Sequence, residues 1–403
     1  MTTATATKNR KSSLHVGTGA LLAAAKKLQP LIREQAAACE ALGALTPPVA
    51  KAIEDANFYG MWIPAELGGS ELTPRQSLEV LEELAIGDAS TSWVVMAIAI
   101  ATGVAGAYLP KHVALQYFPP NRRPFVGFAG QGTRPGKAVP TDGGYILSGS
   151  WGFASGIKHC KYIHTAGAIE TTGEPRIFNV PIEKAKFTDN WNVMGLRATG
   201  SIDYTIDNLF VPEEQTFPLL TQDPQQGGGL FRIGIINFAG LCHGGWALGV
   251  ARRMLDDLRE LTKAKMGRVA QAASNDTFQS AYGEHEARLR AARAFLFETW
   301  ADIEDTLSRD EKPSTRQETL SRLSLYNVTW AAHAVSEFVY TTAGTVALRE
   351  GALQRYFRDM HAGTQHITSS PGVLRACGQE LAGLAEGKRW QFLNLVDSPP
   401  ARS

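Results

Sequence analysis

Residues 194–201 read Met-Gly-Leu-Arg-Ala-Thr-Gly-Ser. They sit inside a stretch where Gly and Pro are frequent and short β-prone runs recur, at 125–128, 144–151, 162–168, 176–180 and 204–211. Asp142-Gly143-Gly144 is a hairpin-type turn before the second run. Residues 121–218 therefore read as a small antiparallel β-barrel or sandwich.

Working outward, both flanks carry helical periodicity. On the N-terminal side Leu21, Ala25, Leu28 and Ile32 fall on one face, with Pro30 expected to kink or divide that helix. Thr46-Pro47-Pro48 opens a second helix and Pro74 a third. Residues 89–110 carry no charge and are long enough to span a bilayer, but their Ser, Thr and Gly content fits a buried core helix, capped by Asp88 or Ser90. Residues 16–120 read as a helical domain behind a disordered tail, 1–15.

On the C-terminal side the loop 222–229 leads into four apolar stripes. These are Leu248, Ala251, Leu255 and Leu258; Leu289 to Leu307 at helical spacing; Val328, Ala331, Val335 and Phe338; and Val373, Cys377, Leu381 and Leu384. The pattern predicts a four-helix bundle over 230–397. The fold class expected is α+β, in the order helices, sheet, helices.

The whole chain has 403 residues, 44% hydrophobic and 20% charged, which is the balance of a folded globular protein. Forty Lys and Arg against 39 Asp and Glu leave a net charge of +1, no basis for a nucleic-acid partner. Cys39, Cys160, Cys242 and Cys377 lie far apart and form no C-x-x-C pair, which fits a reducing cytoplasm. No G-x-G-x-x-G fingerprint, Walker A lysine motif, H-E-x-x-H helix or G-x-S-x-G elbow occurs. The nine histidines show no metal-ligand spacing, and His361 and His366 point apart on a predicted helix.

The helix–sheet–helix order, together with four local motifs, resembles the acyl-CoA dehydrogenase superfamily from about residue 18 to 395. The motifs are Gly60-Met61-Trp62-Ile63-Pro64 with Glu66-Leu67-Gly68-Gly69; residues 194–201; Phe210-Val211-Pro212; and Arg358-Asp359. The resemblance implies a helical domain, a β-barrel and a four-helix bundle, a flavin at the junction of sheet and bundle, and a homotetramer. The dehydrogenases of this superfamily use a Glu as base, commonly eight residues after the Asp of the Arg-Asp pair. That position is Ile367 here, with His366 before it.

Gly149-Ser150-Trp151-Gly152-Phe153-Ala154-Ser155-Gly156, and Arg358-Asp359 followed by His366, resemble the two-component flavin monooxygenase branch instead. That branch receives reduced flavin from a separate reductase, adds O2 at flavin C4a to give a hydroperoxide, and oxidises small aromatic substrates. Carried over motif by motif, the resemblance makes His366 and Ser155 the catalytic residues. It gives the flavin to Phe128, Gln131, Gly132, Thr133, Trp151, Phe153, Ala154 and Ser155. It also gives Lys263, in Lys263-Ala264-Lys265-Met266-Gly267, a flavin diphosphate across a subunit boundary. Lys there in place of the usual Arg keeps the charge and loses the planar fork. Reduced FAD is preferred over reduced FMN.

The residue types suit that chemistry. An oxygenating flavin must be kept dry, and Trp93, Met96 and Ile100 offer an apolar substrate wall. A neutral hydroxyl at Ser155 can donate or accept without adding charge, and an imidazole at His366 can hold a proton near neutral pH. The phenol hydroxylases of the branch tend to carry a second histidine on the helix before the sheet, and residues 93–108 hold none. An indole-type or polycyclic aromatic is therefore expected rather than a phenolate. The rivals are an acyl-CoA dehydrogenase with its base elsewhere and a non-catalytic flavin-binding homologue.

Overall fold

A computed structural model of the chain describes residues 18–120, 122–264, 269 and 273–398. The expected tail, 1–15, lies outside them, as do Lys265, Met266 and Gly267. Five helices come first: α1 (Thr18–Leu42), α2 (Pro47–Asp55), α3 (Pro74–Gly87), α4 (Ala89–Tyr108) and α5 (Lys111–Tyr117). Pro30 does not divide α1. It sits on the solvent side, where water can take the carbonyl left without a partner. Asp88 caps α4 by accepting the Thr91 N–H at 2.8 Å. The uncharged α4 is buried nearly all round, so its apolar composition serves a protein core.

The sheet that follows departs from the antiparallel barrel expected. Its strands are β1 (Phe128–Ala129), β2 (Gly136–Thr141), β3 (Gly144–Trp151), β4 (Tyr162–Ile169), β5 (Pro175–Pro181), β6 (Lys186–Thr188), β7 (Asp203–Pro212) and β8 (Thr216–Pro218). The order is β6-β7-β3-β2-β4-β5-β8, with β1 also on β4, and the end strands β6 and β8 do not pair. The sheet is mixed, because β1 and β2 both run parallel to β4. The physical reason is the connection from β3 to β4: ten residues, 152–161, carry the chain across and return it in the direction of β2. A hairpin at the same point would have kept every pair antiparallel. The predicted β2–β3 turn is present, with Gly143 at φ 72°.

The C-terminal region holds α6 (Gly234–Lys263), α7 (Asp276–Ser308), α8 (Thr315–Ala343), α9 (Ala352–Gly363) and α10 (Val373–Leu381), then a hairpin of β9 (Lys388–Gln391) and β10 (Asn394–Asp397). The first three predicted stripes lie on α6, α7 and α8, facing the core. The fourth does not form a long bundle helix. Val373 and Cys377 are buried against Trp390 of the hairpin, whereas Leu381 and Leu384 are exposed. Two short helices, α9 and α10, stand where a fourth long helix was expected.

Two close approaches bring the three regions together. A Cβ on Gly195 would fall 2.1 Å from the Arg358 carbonyl oxygen, so only glycine lets the 194–201 loop meet α9. A Cβ on Gly363 would fall 2.1 Å from the Trp246 ring, so glycine also lets the end of α9 press on α6. The segment after α9 is thereby held over α4, α6 and the sheet.

Candidate active site

Where these three regions converge there is a cavity of about 850 Å³. Its walls come from α4, the loops after β1 and β3, the 191–201 loop, α6 and the segment after α9. Trp93, Met96 and Ile100 line it from one helix face, as their spacing implies. Gln131, Gly132, Thr133, Phe153, Ser155 and His366 line it too.

Other predicted residues lie behind the wall. Phe128 stacks on Tyr162 and packs on Tyr117 in the core. Trp151 stacks on Tyr204 and donates its indole N–H to the Ala166 carbonyl at 3.0 Å. Ala154 is fully buried. Their role here is to shape the wall. Tyr204 accepts the Gln131 N–H at 3.1 Å, so Trp151 supports the cavity loop from beneath. Lys263 is exposed at the end of α6, pairs with Glu260, and lies off this chain's cavity wall.

Ser155 sits in a polarised chain of hydroxyls. Thr199 Oγ1 donates to the Leu196 carbonyl at 2.7 Å. Its single hydrogen is thus used, so at 2.7 Å it accepts from Ser201 Oγ. Ser201 in turn accepts from Ser155 Oγ, also at 2.7 Å. Ser155 meanwhile accepts the Trp93 indole N–H at 3.3 Å. Its hydrogen is committed to Ser201, and what it offers the cavity is a lone pair. Thr199 and Ser201, both in the 194–201 motif, line the cavity and were not singled out from sequence.

His366 is not on a helix, contrary to expectation. It caps the short turn Ile367–Ser369, and its Nδ1 accepts from the Thr368 N–H and lies 2.8 Å from the Thr368 hydroxyl. Burial pushes its imidazole down to about 4, so the ring is neutral at physiological pH. Its face stacks on a residue that sequence reasoning missed, His243 of α6, with ring centroids 4.0 Å apart. His243 lines the cavity, keeps Nδ1 3.1 Å from the Ala239 carbonyl, and is held well below the usual histidine range by burial and by the adjacent His366. Trp93 meets both rings edge-on, at 4.9 and 5.8 Å. His243 sits among Gly and Ala residues on α6, and its importance becomes visible only when α9 delivers His366.

His333 and His361, which line the cavity, meet Glu337 behind the wall, and the three place potential ligand atoms within 4.8 Å of one another. His333 and Glu337 are spaced i,i+4 on α8, and α9 supplies His361 across the sequence. The histidines show no metal-ligand spacing along the sequence, and this grouping is made only by the packing of α9 on α8.

Arg134 is the only formally charged side chain on the cavity wall among the described residues; no Asp or Glu lines it. Phe153, more than half exposed and at φ 64°, and Trp191 meet edge-on at 5.9 Å on the open side. A non-glycine residue held at positive φ with its ring bared to a cavity is a feature of ligand-contacting loops. The wall thus offers aromatic and aliphatic surface, the Ser155 lone pair and, among its histidines, the stacked neutral rings of His243 and His366. That set fits a planar, largely apolar heteroaromatic ring such as isoalloxazine, with room for a second aromatic molecule.

Residues 22–111 match the acyl-CoA dehydrogenase N-terminal domain and residues 241–371 the C-terminal domain, together more than half of the chain. The chain belongs to the acyl-CoA dehydrogenase family. Among its relatives, the pigment production hydroxylase of Rhodococcus erythropolis is 28% identical over 361 residues, 83% of this chain and 89% of that protein. The indole-3-acetate monooxygenase of Acinetobacter baumannii is 25% identical over 369 residues, 88% and 92% of the two chains. The flavin-dependent monooxygenase oxygenase subunit HsaA of Mycobacterium tuberculosis is 26% identical over 379 residues, 87% and 92%. The crystal structure of the M. tuberculosis HsaA monooxygenase superposes with a TM-score of 0.86 at 22% identity, covering 94% of this acyl-CoA dehydrogenase family member and all of that chain.

Proposed function

We propose that the protein is the oxygenase component of a two-component flavin monooxygenase. It takes reduced flavin from a separate reductase and uses O2 to hydroxylate an aromatic substrate. The observation that carries this reading is that, among the described residues, no carboxylate lines the cavity. A dehydrogenase acting on an acyl thioester needs a carboxylate at the reacting carbon. Neutral His366 and Ser155 occupy the wall instead, among aromatic side chains. The relatives named hydroxylase, indole-3-acetate monooxygenase and oxygenase subunit support the same reading.

When bound, reduced flavin supplies two electrons to O2, so that one oxygen atom enters the substrate and the other leaves as water. The chain's own residues have distinct tasks. Ser155, with its hydrogen committed to Ser201, accepts an N–H, which reduced flavin carries at N5 and oxidised flavin does not. His366 keeps a proton on Nε2, available to the reacting oxygen. Trp93, Met96 and Ile100 bound the substrate and exclude water. The volume suits a bicyclic or larger aromatic beside the flavin ring. FAD is the preferred flavin, its diphosphate reached by Lys263 of a neighbouring copy in a homotetramer, with the cytoplasm as the site of action.

The test supplies an NADH-driven flavin reductase, FAD and 18O2. Incorporation of one 18O into an aromatic product is the expected result. Bleaching of bound oxidised flavin by an acyl-CoA, with no oxygenation, would instead establish the dehydrogenase reading.

A further inference from the structure

We infer that His333, Glu337 and His361 form a binding site for a zinc-class divalent ion, which ties α8 to α9 beside the cavity. The site goes beyond the monooxygenase reading and does not rest on it. Flavin, O2 and the aromatic substrate take no part in its assembly.

Two helices place the donors. Residues 333 and 337 share one face of α8, and His333 Nδ1 lies 3.7 Å from a Glu337 carboxylate oxygen. Across the sequence, α9 brings the His361 ring to 4.5 Å from the His333 ring, centroid to centroid. Tetrahedral zinc ligation at about 2.0–2.2 Å sets donor atoms about 3.3–3.6 Å apart. The His333–Glu337 edge already has nearly that length, and the full set, within 4.8 Å, closes by small side-chain rotations. The tautomer of His361 is fixed as a ligand's would be. Its Nδ1 lies 2.8 Å from the Phe357 carbonyl, which only accepts, so the hydrogen sits on Nδ1 and Nε2 keeps a lone pair. Ligating histidines are commonly oriented through the far nitrogen in this way. Burial and the adjacent His361 hold His333 below the usual histidine range, which favours a neutral ring with a free lone pair.

The donor chemistry selects the ion. Two imidazole nitrogens and one carboxylate suit zinc, whereas Mg2+ and Ca2+ want shells of oxygen. Zn2+ has no geometric demand from its d electrons, so it tolerates a site assembled from two helices, and three protein ligands leave a fourth position for water. Glu337 is more than half exposed and borders a hollow of about 540 Å³ whose lining shares no residue with the large cavity, which gives the ion its own way in. Arg288 also borders that hollow, and its charge is offset by Glu284 at 3.0 Å. His361 stands five residues before His366, so an ion here steadies the crossing of α8 and α9 that precedes the His366 turn. It binds the folded chain only, because the three donors come together only there.

The experiment titrates untagged, full-length protein with Zn2+ against a fluorescent chelator, without flavin and with Mg2+ in excess. One Zn2+ per chain is expected, with a dissociation constant below about 0.1 mM and a melting temperature raised by a few degrees at saturation. H361F keeps the ring packing on Phe357 and removes the nitrogen, and it is expected to bind at least about a hundredfold more weakly. E337Q, at an exposed position that folding tolerates, is expected to lose about tenfold. H112Q, at the exposed His112–Glu214 pair, is expected to bind as the wild type does. Anomalous scattering at the zinc edge from soaked wild-type crystals is expected to place the ion among the three side chains, whatever the variants do. Binding weaker than the stated limit, wild-type affinity in H361F, displacement by Mg2+, or an anomalous peak elsewhere overturns the inference. No readout needs flavin or turnover, so a failed 18O incorporation would fault the monooxygenase reading and spare this site.

Discussion

Asp359 Oδ1 accepts the backbone N–H of Leu196 at 2.6 Å, joining two motifs 163 residues apart in sequence. Arg358 adds a second tie by donating to the Met194 carbonyl at 2.7 Å. The Arg-Asp pair of α9 is thus a clamp on the 194–201 loop. Leu196, at φ 55°, is held in a conformation that costs a non-glycine residue energy. That loop carries Thr199 and Ser201, which set the polarity of Ser155, and α9 ends just before His366.

This clamp predicts opposite outcomes for two substitutions. Asp359 is fully buried, its Oδ2 has no partner, and burial with nearby Asp88 raises it to about 8. The folded state therefore holds a proton that the unfolded carboxylate releases near pH 4. Stability from this group is present below that pH and is lost as pH rises through 8. Asp359→Asn keeps the Oδ1 acceptor without the proton, so it is expected to remove this decline between pH 6 and 8.5. Asp359→Ala leaves the Leu196 N–H buried and unpaired, a loss of about 1–3 kcal/mol. Urea unfolding at both pH values checks the pair; equal behaviour of Asn and Ala would refute the clamp.

Gly195→Ala tests the packing side of the same junction. Its Cβ would sit 2.1 Å from backbone, which cannot swing aside as a flexible side chain could. The loop or α9 must shift, at a cost of about 1–3 kcal/mol typical of overpacking. A thermal melt within error of wild type would show that the approach is looser than it stands.

The helix–sheet–helix order was legible because it rests on local signals: periodicities of 3.6 and 2, and Gly-Pro punctuation. Trp93, Met96 and Ile100 were legible on the same ground, since α4 fixes their common face. The sheet's mixed pairing was not, because the 152–161 loop decides that β4 pairs with β2 rather than with β3, and no run of residues encodes that choice of neighbour. Nor was the division of the last bundle helix. Leu381 and Leu384 kept the helical spacing of Val373 and Cys377 but face solvent. The His243–His366 stack was hidden for a related reason. It joins α6 to a turn more than a hundred residues later, and neither residue stands in a pattern with the other.

The two neutral imidazoles predict how the protein responds to acid. Their folded values lie below the ordinary 6.5, at about 4 for His366. Between those values the unfolded chain binds more protons than the folded one, so stability falls as pH drops from 6.5 towards 4. His366→Asn removes one contributor. Its melting temperature is expected to fall less than that of wild type between pH 7 and 5, by an amount reflecting about 1–2 kcal/mol. Parallel curves would mean that His366 protonates freely in the folded state.

The hydroxyl chain predicts a redox preference in flavin binding that depends on residues behind Ser155. In the native chain Ser155 can only accept, which favours the N–H of reduced flavin. Ser201→Ala removes the acceptor of the Ser155 hydrogen and frees Ser155 to donate to the bare N5 of oxidised flavin. The ratio of reduced to oxidised flavin affinity is then expected to fall about three- to tenfold, one hydrogen bond's worth. For a two-electron couple that lowers the potential of bound flavin by about 15–30 mV. Thr199→Val acts one step further back. It takes away the acceptor of the Ser201 hydrogen, so Ser201 can turn and donate to Ser155, and a smaller shift of the same sign is expected. Ser155→Ala loses the contact itself, weakening reduced flavin while leaving oxidised flavin nearly unchanged. Anaerobic titrations with both redox forms, paired with potentiometry, separate these cases. A Ser201→Ala protein with the wild-type ratio would show that Ser155 is free to turn its hydrogen towards the cavity.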